Sequence, residues 1–288
     1  MQRELLRASH QRQTKTLTNN LAHQHKVLAN QQASLLTDEQ WCRLSNIINV
    51  YDSKSPVSHI QTFLSSQAKQ PMKLRLKMAK TNILEIITSL YQGITPFLKV
   101  LPEFRSMEKH DQCQLIERNL SSVGGFNGII VFRESGVTFS EAFQNGFPLL
   151  YGSNIVEDSI TIARRTDSDF TLIKLLIPVI LFSTANSLTD ANEQYRLASS
   201  NSIFFHSRIL FDIQNIYADI LFKYLIYRFG YFEASMRFAG LIKSFLDQSM
   251  CVMRADSVQV HEQLMKTVVS KTETALVIHD ELENANVS

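Results

Sequence analysis

The segment Phe97-Leu-Lys-Val-Leu-Pro-Glu-Phe-Arg-Ser-Met-Glu-Lys-His-Asp-Gln-Cys-Gln-Leu-Ile116 joins two predicted helices. Upstream of its bend, apolar residues recur at three- and four-residue steps, which predicts a helix over residues 73 to 101. Pro102 has no backbone N–H and cannot continue that helix. A second helix is expected from about Asp111, whose carboxylate suits the positive N-terminal end of a helix. The segment therefore holds a helix end, a bend and a helix start.

The side chains around this bend suit a groove for a partner helix. Lys99 lies near the end of the first helix, beside a surface that Phe104, Met107, Gln112 and Ile116 could line. A partner helix presents unpaired carbonyl oxygens at its C-terminal end, and the Lys99 ammonium can donate hydrogen bonds to them. A Lys-Pro-Phe pattern taken alone has a simpler interpretation, in which Lys99 stabilises its own helix end and Phe104 packs in the core.

The same segment resembles the signature of nuclear hormone receptor ligand-binding domains. In that family an aromatic residue, a Lys two residues later, a Pro-x-Phe turn and an Asp-Gln-x-x-Leu helix start occur at this spacing. The matched positions here are Lys99, Pro102, Phe104, Asp111, Gln112 and Leu115, and a weaker likeness extends over about residues 36 to 265. The resemblance implies an all-α, three-layer antiparallel helical sandwich. It also implies that the Lys99 groove captures LxxLL-type helices of coregulators.

The resemblance places a ligand pocket beneath these helices. At the matched positions the first helix carries Ile83, Ile87 and Leu90, all apolar, which favours either a small lipophilic ligand or a filled core. Many family members anchor the ligand with an Arg near the end of the second helix. The nearest candidate here is Arg133, two residues beyond the usual offset, and it could instead pair with Glu134 or face water.

Three glycines, Gly124, Gly125 and Gly128, weaken the predicted second helix. By the resemblance they lie where family members place pocket-lining side chains. Absent side chains either enlarge a cavity or let two helices approach closely, and the sequence leaves both interpretations open.

The C-terminal part departs from the family pattern. The family's last helix carries an acidic residue between hydrophobic pairs, whereas this chain offers Leu276-Val-Ile-His-Asp-Glu-Leu282, in which Asp280 or Glu281 could supply the acid. A frayed, solvated tail is the alternative.

By the resemblance, the helix predicted over residues 232 to 254 supplies a homo- or heterodimer surface, with the side chains Phe238, Leu241, Ile242 and Phe245.

The composition favours helices throughout. The chain has 288 residues, of which 44% are hydrophobic, with nine Gly and six Pro, so the breakers that many-stranded folds require are scarce. Helices are also predicted over residues 170 to 183 and 207 to 229, and the first of these is apolar on every side, which requires neighbours all round. A small β-hairpin is predicted between Val137 and Leu150, from alternating residues and an Asn-Gly pair. The folded domain is expected over residues 35 to 288.

Residues 1 to 34 differ from the rest of the chain. They hold five basic side chains and one acidic side chain, a net charge of +4, and predict a flexible basic, Gln-rich arm or hinge.

Three scattered cysteines, Cys42, Cys113 and Cys251, favour neither a structural zinc site nor a cofactor. The two four-cysteine modules with which the family binds DNA are not in this chain. No apolar run approaches the roughly 20 residues of a membrane span, and no membrane partner is expected.

These patterns predict a nuclear receptor-like ligand-binding domain that regulates transcription in the nucleus, with the cytoplasm as a second expected location. It would bind a small lipophilic ligand and recruit coregulator helices. The alternative is a ligand-independent helical scaffold or dimerisation protein with the same fold. No enzyme is expected, because the sequence has no phosphate-binding loop, nucleophile elbow or dinucleotide fingerprint. Leu172-Ile-Lys-Leu-Leu176 spells LxxLL but lies in the most apolar segment and is assigned to the core.

Overall fold

The computed structural model describes residues 35–183 and 207–285. The predicted arm over residues 1 to 34 and the loop predicted over residues 186 to 206 lie outside them. The described chain is all helical, with no strand in these two ranges. Its α-helices are α1 Asp38–Lys54, α2 Val57–Ala68, α3 Met72–Lys77, α4 Ala79–Gln92, α5 Thr95–Leu98, α6 Pro102–Arg105, α7 Lys109–Glu134, α8 Phe147–Tyr151, α9 Ser153–Arg165, α10 Phe170–Leu181, α11 Ser207–Phe229, α12 Tyr231–Asp256 and α13 Gln259–Ala285.

The first helix begins with a capping box. Thr37 is the N-cap residue, its side chain accepts a hydrogen bond from the Gln40 backbone, and the Gln40 side chain accepts one from the Thr37 backbone. This reciprocal pair satisfies two backbone donors that the first turn of a helix leaves without partners. The second helix, α2, follows after the break at Ser55 and Pro56.

The core is built around α7, which contacts α4, α9, α10, α12 and α13. Its middle is buried on nearly all sides, and Leu120, Val123 and Phe126 have no exposed surface. The apolar α10 packs between α7 and α11, which confirms its prediction as a buried helix and leaves its LxxLL leucines at 2% exposure or less. Among the described residues, none of the helices combines the length and the apolar character needed to cross a membrane.

The prediction of a β-hairpin between Val137 and Leu150 is wrong. Residues Val137–Phe139 form a 3₁₀ turn, Ala142–Gly146 a π-helical turn, and α8 follows at once. An Asn-Gly hairpin turn needs a positive φ at the Gly, whereas Gly146 has φ −86°. The close packing of Gly146 against the backbone of Ala79 explains this glycine instead, because an added Cβ would lie 2.4 Å from the Ala79 carbonyl oxygen.

The helix predicted over residues 73 to 101 is interrupted twice. Met78 separates α3 from α4, and Gly93 ends α4 where its Cβ position would lie 2.6 Å from the Pro56 side chain. Because of these breaks, the turn before Lys99 is a separate short helix, α5, and Lys99 is its C-cap residue. Pro102 then starts α6 at the first position of the helix, where a missing N–H costs nothing.

A polar network lies behind this turn and joins three helices. The Glu103 carboxylate accepts hydrogen bonds from the Arg43 guanidinium on α1 and from the Tyr217 hydroxyl on α11. Burial raises the pKa of the Glu103 carboxyl, but these two donors and the charge of Arg43 outweigh it, so the pKa is lowered overall. The same burial, together with the Glu103 charge, raises the pKa of the Tyr217 hydroxyl. The network fixes α6 on the core.

Candidate functional site: a groove covered by the last helix and an apolar cavity

Gln112 sets the shape of the bend between α6 and α7. Its side-chain amide donates to the carbonyl oxygens of Phe104 at 2.7 Å and Met107 at 3.1 Å, and Gln112 itself is 2% exposed. These bonds add a side-chain donor to carbonyls of the chain reversal, where the Phe104 oxygen also accepts from the Met107 backbone at 3.3 Å. Gln112 therefore acts as a structural clamp within the bend. Phe104 and Ile116 are each 1% exposed and lie in the core, while Met107 is half-buried.

Two lysines of this bend hold the last helix, α13. The Lys99 ammonium donates to the carbonyl oxygen of Ala275 at 2.9 Å, and the Lys109 ammonium to that of Leu276 at 3.3 Å. Both oxygens lie inside α13, and a carbonyl oxygen has two lone pairs, so it can accept from a lysine as well as from its own helix. The consecutive pair of contacts orients α13 across the bend.

Leu276 is the apolar part of the same contact. It is 3% exposed and belongs to the hydrophobic core, whereas its neighbours Thr274 and Ala275 are exposed. One turn earlier, the hydroxyls of Thr95 and Thr272 lie 3.3 Å apart and join α5 to α13. The chain's own last helix thus lies across this bend, with a buried leucine and with lysines at its carbonyls. The side chain of Asp280 falls outside the part of the chain that the structure describes.

An apolar cavity of about 60 Å³ lies under the site, between α4, α7, α8, α9, α12 and the start of α13. Ile83, Ile87 and Leu90 line it, as the sequence predicts for a ligand pocket. Gly125 and Gly128 line the same space from α7. Gly124 lies elsewhere on that helix, where an added Cβ would come 2.1 Å from the Tyr91 ring. Gly125 fits both interpretations, because it borders the cavity and an added Cβ there would lie 2.3 Å from the Val252 side chain. Gly124 allows close packing, and Gly128 borders the cavity.

Arg133 lies apart from the residues that line the cavity. Its guanidinium donates to the carbonyl oxygens of Asp167 at 2.7 Å and Thr166 at 3.3 Å, and it stacks 4.4 Å from the centre of the Phe170 ring. These contacts close the connection between α9 and α10. The Arg133 guanidinium therefore binds this connection and not Glu134 or a ligand in the cavity.

A polar group at one end of the cavity was missed by the sequence reasoning. His261, 2% exposed, lines the cavity, and its Nδ1 lies 3.0 Å from the Tyr151 hydroxyl oxygen. Its Nε2 is 3.2 Å from Asp256 Oδ1 without forming a hydrogen bond, and it has no other partner among the described residues. Burial raises the pKa of the Tyr151 hydroxyl, which therefore stays protonated. The His261 ring thus lies between the Tyr151 hydroxyl and the Asp256 carboxylate.

A second polar pair borders the cavity from α9 and α12. Ser159 Oγ and Cys251 Sγ are 3.2 Å apart, and the thiol also lies 3.7 Å from the Ile155 carbonyl oxygen. Burial raises the pKa of the Cys251 thiol, so it remains a thiol, which is a weak nucleophile. Local sequence patterns could not indicate these groups, because Ser159, Cys251 and His261 come from three helices that meet only in the folded chain.

The predicted dimer residues on α12 divide between the core and the surface. Leu241 is 1% exposed, Phe238 and Phe245 are half-buried, and Ile242 is 36% exposed. The same helix carries other apolar side chains that are more exposed, namely Phe232, Met236, Leu246 and Met250. Leu241 therefore serves the core of its own chain, and the outer face of α12 is formed by the exposed set.

The described ranges contain no group of three or more His, Cys, Asp or Glu residues placed to hold a metal ion. The structure brings together at the site apolar side chains, two lysines bonded to carbonyl oxygens, and the buried polar groups of Ser159, Cys251 and His261. A scan against models of known protein families finds no match for this chain, and a search of curated proteins finds no similar sequence.

Proposed function

We propose that this chain is a nuclear receptor-like ligand-binding domain, a three-layer helical sandwich that regulates transcription by capturing coregulator helices. The observation that carries the proposal is the contact of Lys99 with the Ala275 carbonyl oxygen, with Leu276 buried beside it. A bend that seats one helix by lysines at its carbonyls and a leucine beneath can seat another helix of similar pattern. A nuclear location follows from this function.

The last helix offers a route from the cavity to the groove. His261 stands at the start of α13 and lines the cavity, while Leu276 near the other end covers the bend. The two lie about 22 Å apart at 1.5 Å per helical residue. A ligand that prefers one position of α13 shifts the population between covered and open groove by its difference in affinity for the two.

The cavity favours a lipophilic ligand with few polar groups. Aliphatic and aromatic side chains form most of its wall, and its polar lining residues include Ser159, Gln248 and His261. Its volume of about 60 Å³ is smaller than the roughly 300 Å³ of pockets for drug-sized ligands, so a ligand of that size has to widen it.

Native mass spectrometry of the purified protein tests this ligand. We expect a retained lipophilic molecule on the unmodified chain and its loss from Ala255→Leu, because Ala255 lines the cavity and the added isopropyl group fills it. Ala239→Leu is the matched control, since Ala239 is exposed on the same helix. An unmodified chain that carries no extra mass would instead favour the second candidate, a ligand-independent scaffold, which the small cavity and the covered groove support.

Lys99→Ala tests the groove. We expect it to weaken binding of an LxxLL peptide at least about tenfold with little loss of stability, since hydrogen bonds to charged groups contribute about 1.5–3 kcal/mol. The carbonyls at the end of a peptide helix have no partners of their own, whereas Ala275 lies within α13, so the loss falls mainly on the peptide. Fluorescence anisotropy measures the affinity, with Lys243→Ala as the control. Equal affinities for Lys99→Ala and the unmodified chain contradict the assignment.

Dimer formation belongs to the same proposal. The exposed apolar side chains of α12 give a helix face that a second copy or a related chain could cover. Any contact with DNA would be made by a zinc-finger domain that is not in this chain.

A further inference from the structure

The surface around α3 combines lysines with exposed apolar side chains. Residues 53 to 84 contain six Lys or Arg residues and no Asp or Glu. Within this stretch Lys69, Lys73, Lys77 and Lys80 are exposed, and none of them pairs with a carboxylate among the described residues. Arg75 is half-buried and pairs with Glu141 at 2.5 Å. The lysines therefore leave an uncompensated positive charge at this surface.

The apolar side chains of the same surface are unusually open to solvent. Met72 is 60% exposed, Leu76 44% and Leu74 42%. Phe139, 83% exposed, lies two residues before Glu141, which the Arg75 ion pair attaches to α3. We call the exposed set the α3 ridge, and it consists of Lys69, Met72, Lys73, Leu74, Leu76, Lys77, Lys80 and Phe139.

The helical spacing brings both kinds of side chain to one side. Met72 and Leu76 are four residues apart and therefore neighbours on the helix surface, and Lys73 and Lys77 form the adjacent row. The partner of such a face has to be apolar and anionic together. A polyanion such as nucleic acid would satisfy the lysines but leave Met72 and Leu76 in water, whereas an anionic bilayer offers headgroups and acyl chains at the required depths.

We propose that the α3 ridge docks this protein on the surface of an anionic phospholipid bilayer. The four lysines contact the headgroups, and Met72, Leu76 and Phe139 enter the boundary between headgroups and acyl chains. This is binding at the surface and requires no membrane-spanning helix, and it goes beyond the sequence analysis, which expects no membrane partner. The proposal is independent of the receptor-like function, because the α3 ridge shares no residue with the groove or the cavity.

Flotation with lipid vesicles tests the charge. We expect the full chain to bind vesicles of phosphatidylcholine with phosphatidylserine and to leave pure phosphatidylcholine vesicles free. The triple variant Lys73→Gln, Lys77→Gln, Lys80→Gln should partition at least about tenfold more weakly, since each lysine near an anionic surface contributes about 1 kcal/mol. Lys243→Gln, Lys266→Gln, Lys271→Gln makes the same charge change at exposed positions of α12 and α13 and should bind as the unmodified chain does.

A second pair of variants tests the apolar part. Leu76→Ser with Phe139→Ser should weaken binding several-fold, while Ile209→Ser with Phe211→Ser, exposed on α11, should not. Residues 1 to 34 carry a net charge of +4 and are the same in every variant, so binding through them would survive the ridge substitutions and overturn the proposal. Binding that depends on the lysines but not on Leu76 and Phe139 also overturns it, because a purely electrostatic partner is then sufficient.

Discussion

Gly146→Ala is expected to destabilise the protein by about 3 kcal/mol, the upper part of the range for overpacked interiors. A Cβ at this position would lie 2.4 Å from the Ala79 carbonyl oxygen and 2.7 Å from its carbonyl carbon, which is closer than real Cβ atoms approach. Those atoms belong to the backbone at the start of α4, so no side-chain rotation relieves the clash. The Ile83 side chain, 3.1 Å away, adds to it.

The clash also separates the two walls of the cavity. The π-helical turn that ends at Gly146 leads directly into α8, which supplies Phe147 and Tyr151 to the cavity, while Ile83 on α4 lines the other side. Moving α8 away from α4 widens the cavity and displaces the Tyr151 hydroxyl from His261. The retained-ligand signal in native mass spectrometry is therefore expected to change together with stability.

Gly240→Ala is the matched control for this substitution. Gly240 lies inside α12, is exposed, and has nothing within 4 Å of its Cβ position, so alanine there should stabilise the helix by up to about 1 kcal/mol. Urea denaturation of the two variants and the unmodified chain measures the difference. A Gly146→Ala variant as stable as Gly240→Ala would show that the π-helical turn and α4 do not pack as described.

Helices with long apolar periodicity could be predicted from the sequence, whereas the role of Gly146 could not. The buried α10 and the capped start of α1 each depend on residues close together in the chain, so local patterns suffice to find them. The Asn145-Gly146 pair looks equally local. However, a glycine is needed at position 146 because the Ala79 backbone, 67 positions earlier in the chain, leaves no room for a Cβ. A residue pair typical of a turn therefore lies at a contact between helical segments.

In the candidate site, too, the residues that follow a helical spacing could be predicted and the contacts between distant segments could not. The apolar wall of Ile83, Ile87 and Leu90 follows from helical spacing and from the family resemblance, and these residues do line the cavity. The polar contact at His261 depends on Tyr151 and Asp256, which approach it only through the packing of α8, α12 and α13. Likewise, Lys99 could be placed near a helix end from the sequence, but its partner, the Ala275 carbonyl, is 176 residues away along the chain.

Leu276→Ser is expected to increase the affinity of the groove for an LxxLL peptide by up to about thirtyfold. Leu276 is 3% exposed, and burying a leucine side chain contributes about 1.5–3 kcal/mol to the stability of the covered state. A serine at this position loses most of that contribution. A helix that covers the groove reduces peptide affinity by the fraction of molecules in which the groove is open. Removing about 2 kcal/mol from the covered state raises that fraction by the corresponding factor of about thirty.

A double variant distinguishes whether Leu276 covers the groove or forms part of its wall. If Leu276 covers the bend, the peptide affinity of Leu276→Ser rises, and adding Lys99→Ala to it removes much of the gain, because the peptide then loses its lysine contact. If Leu276 were a wall of the groove, its loss would weaken the peptide instead, and the model of a displaceable α13 would be wrong. Val260→Ser, at a partly exposed position near the other end of α13, is the control and should leave the affinity unchanged. Fluorescence anisotropy at several peptide concentrations, with urea midpoints for each variant, distinguishes an opened groove from an unfolded protein.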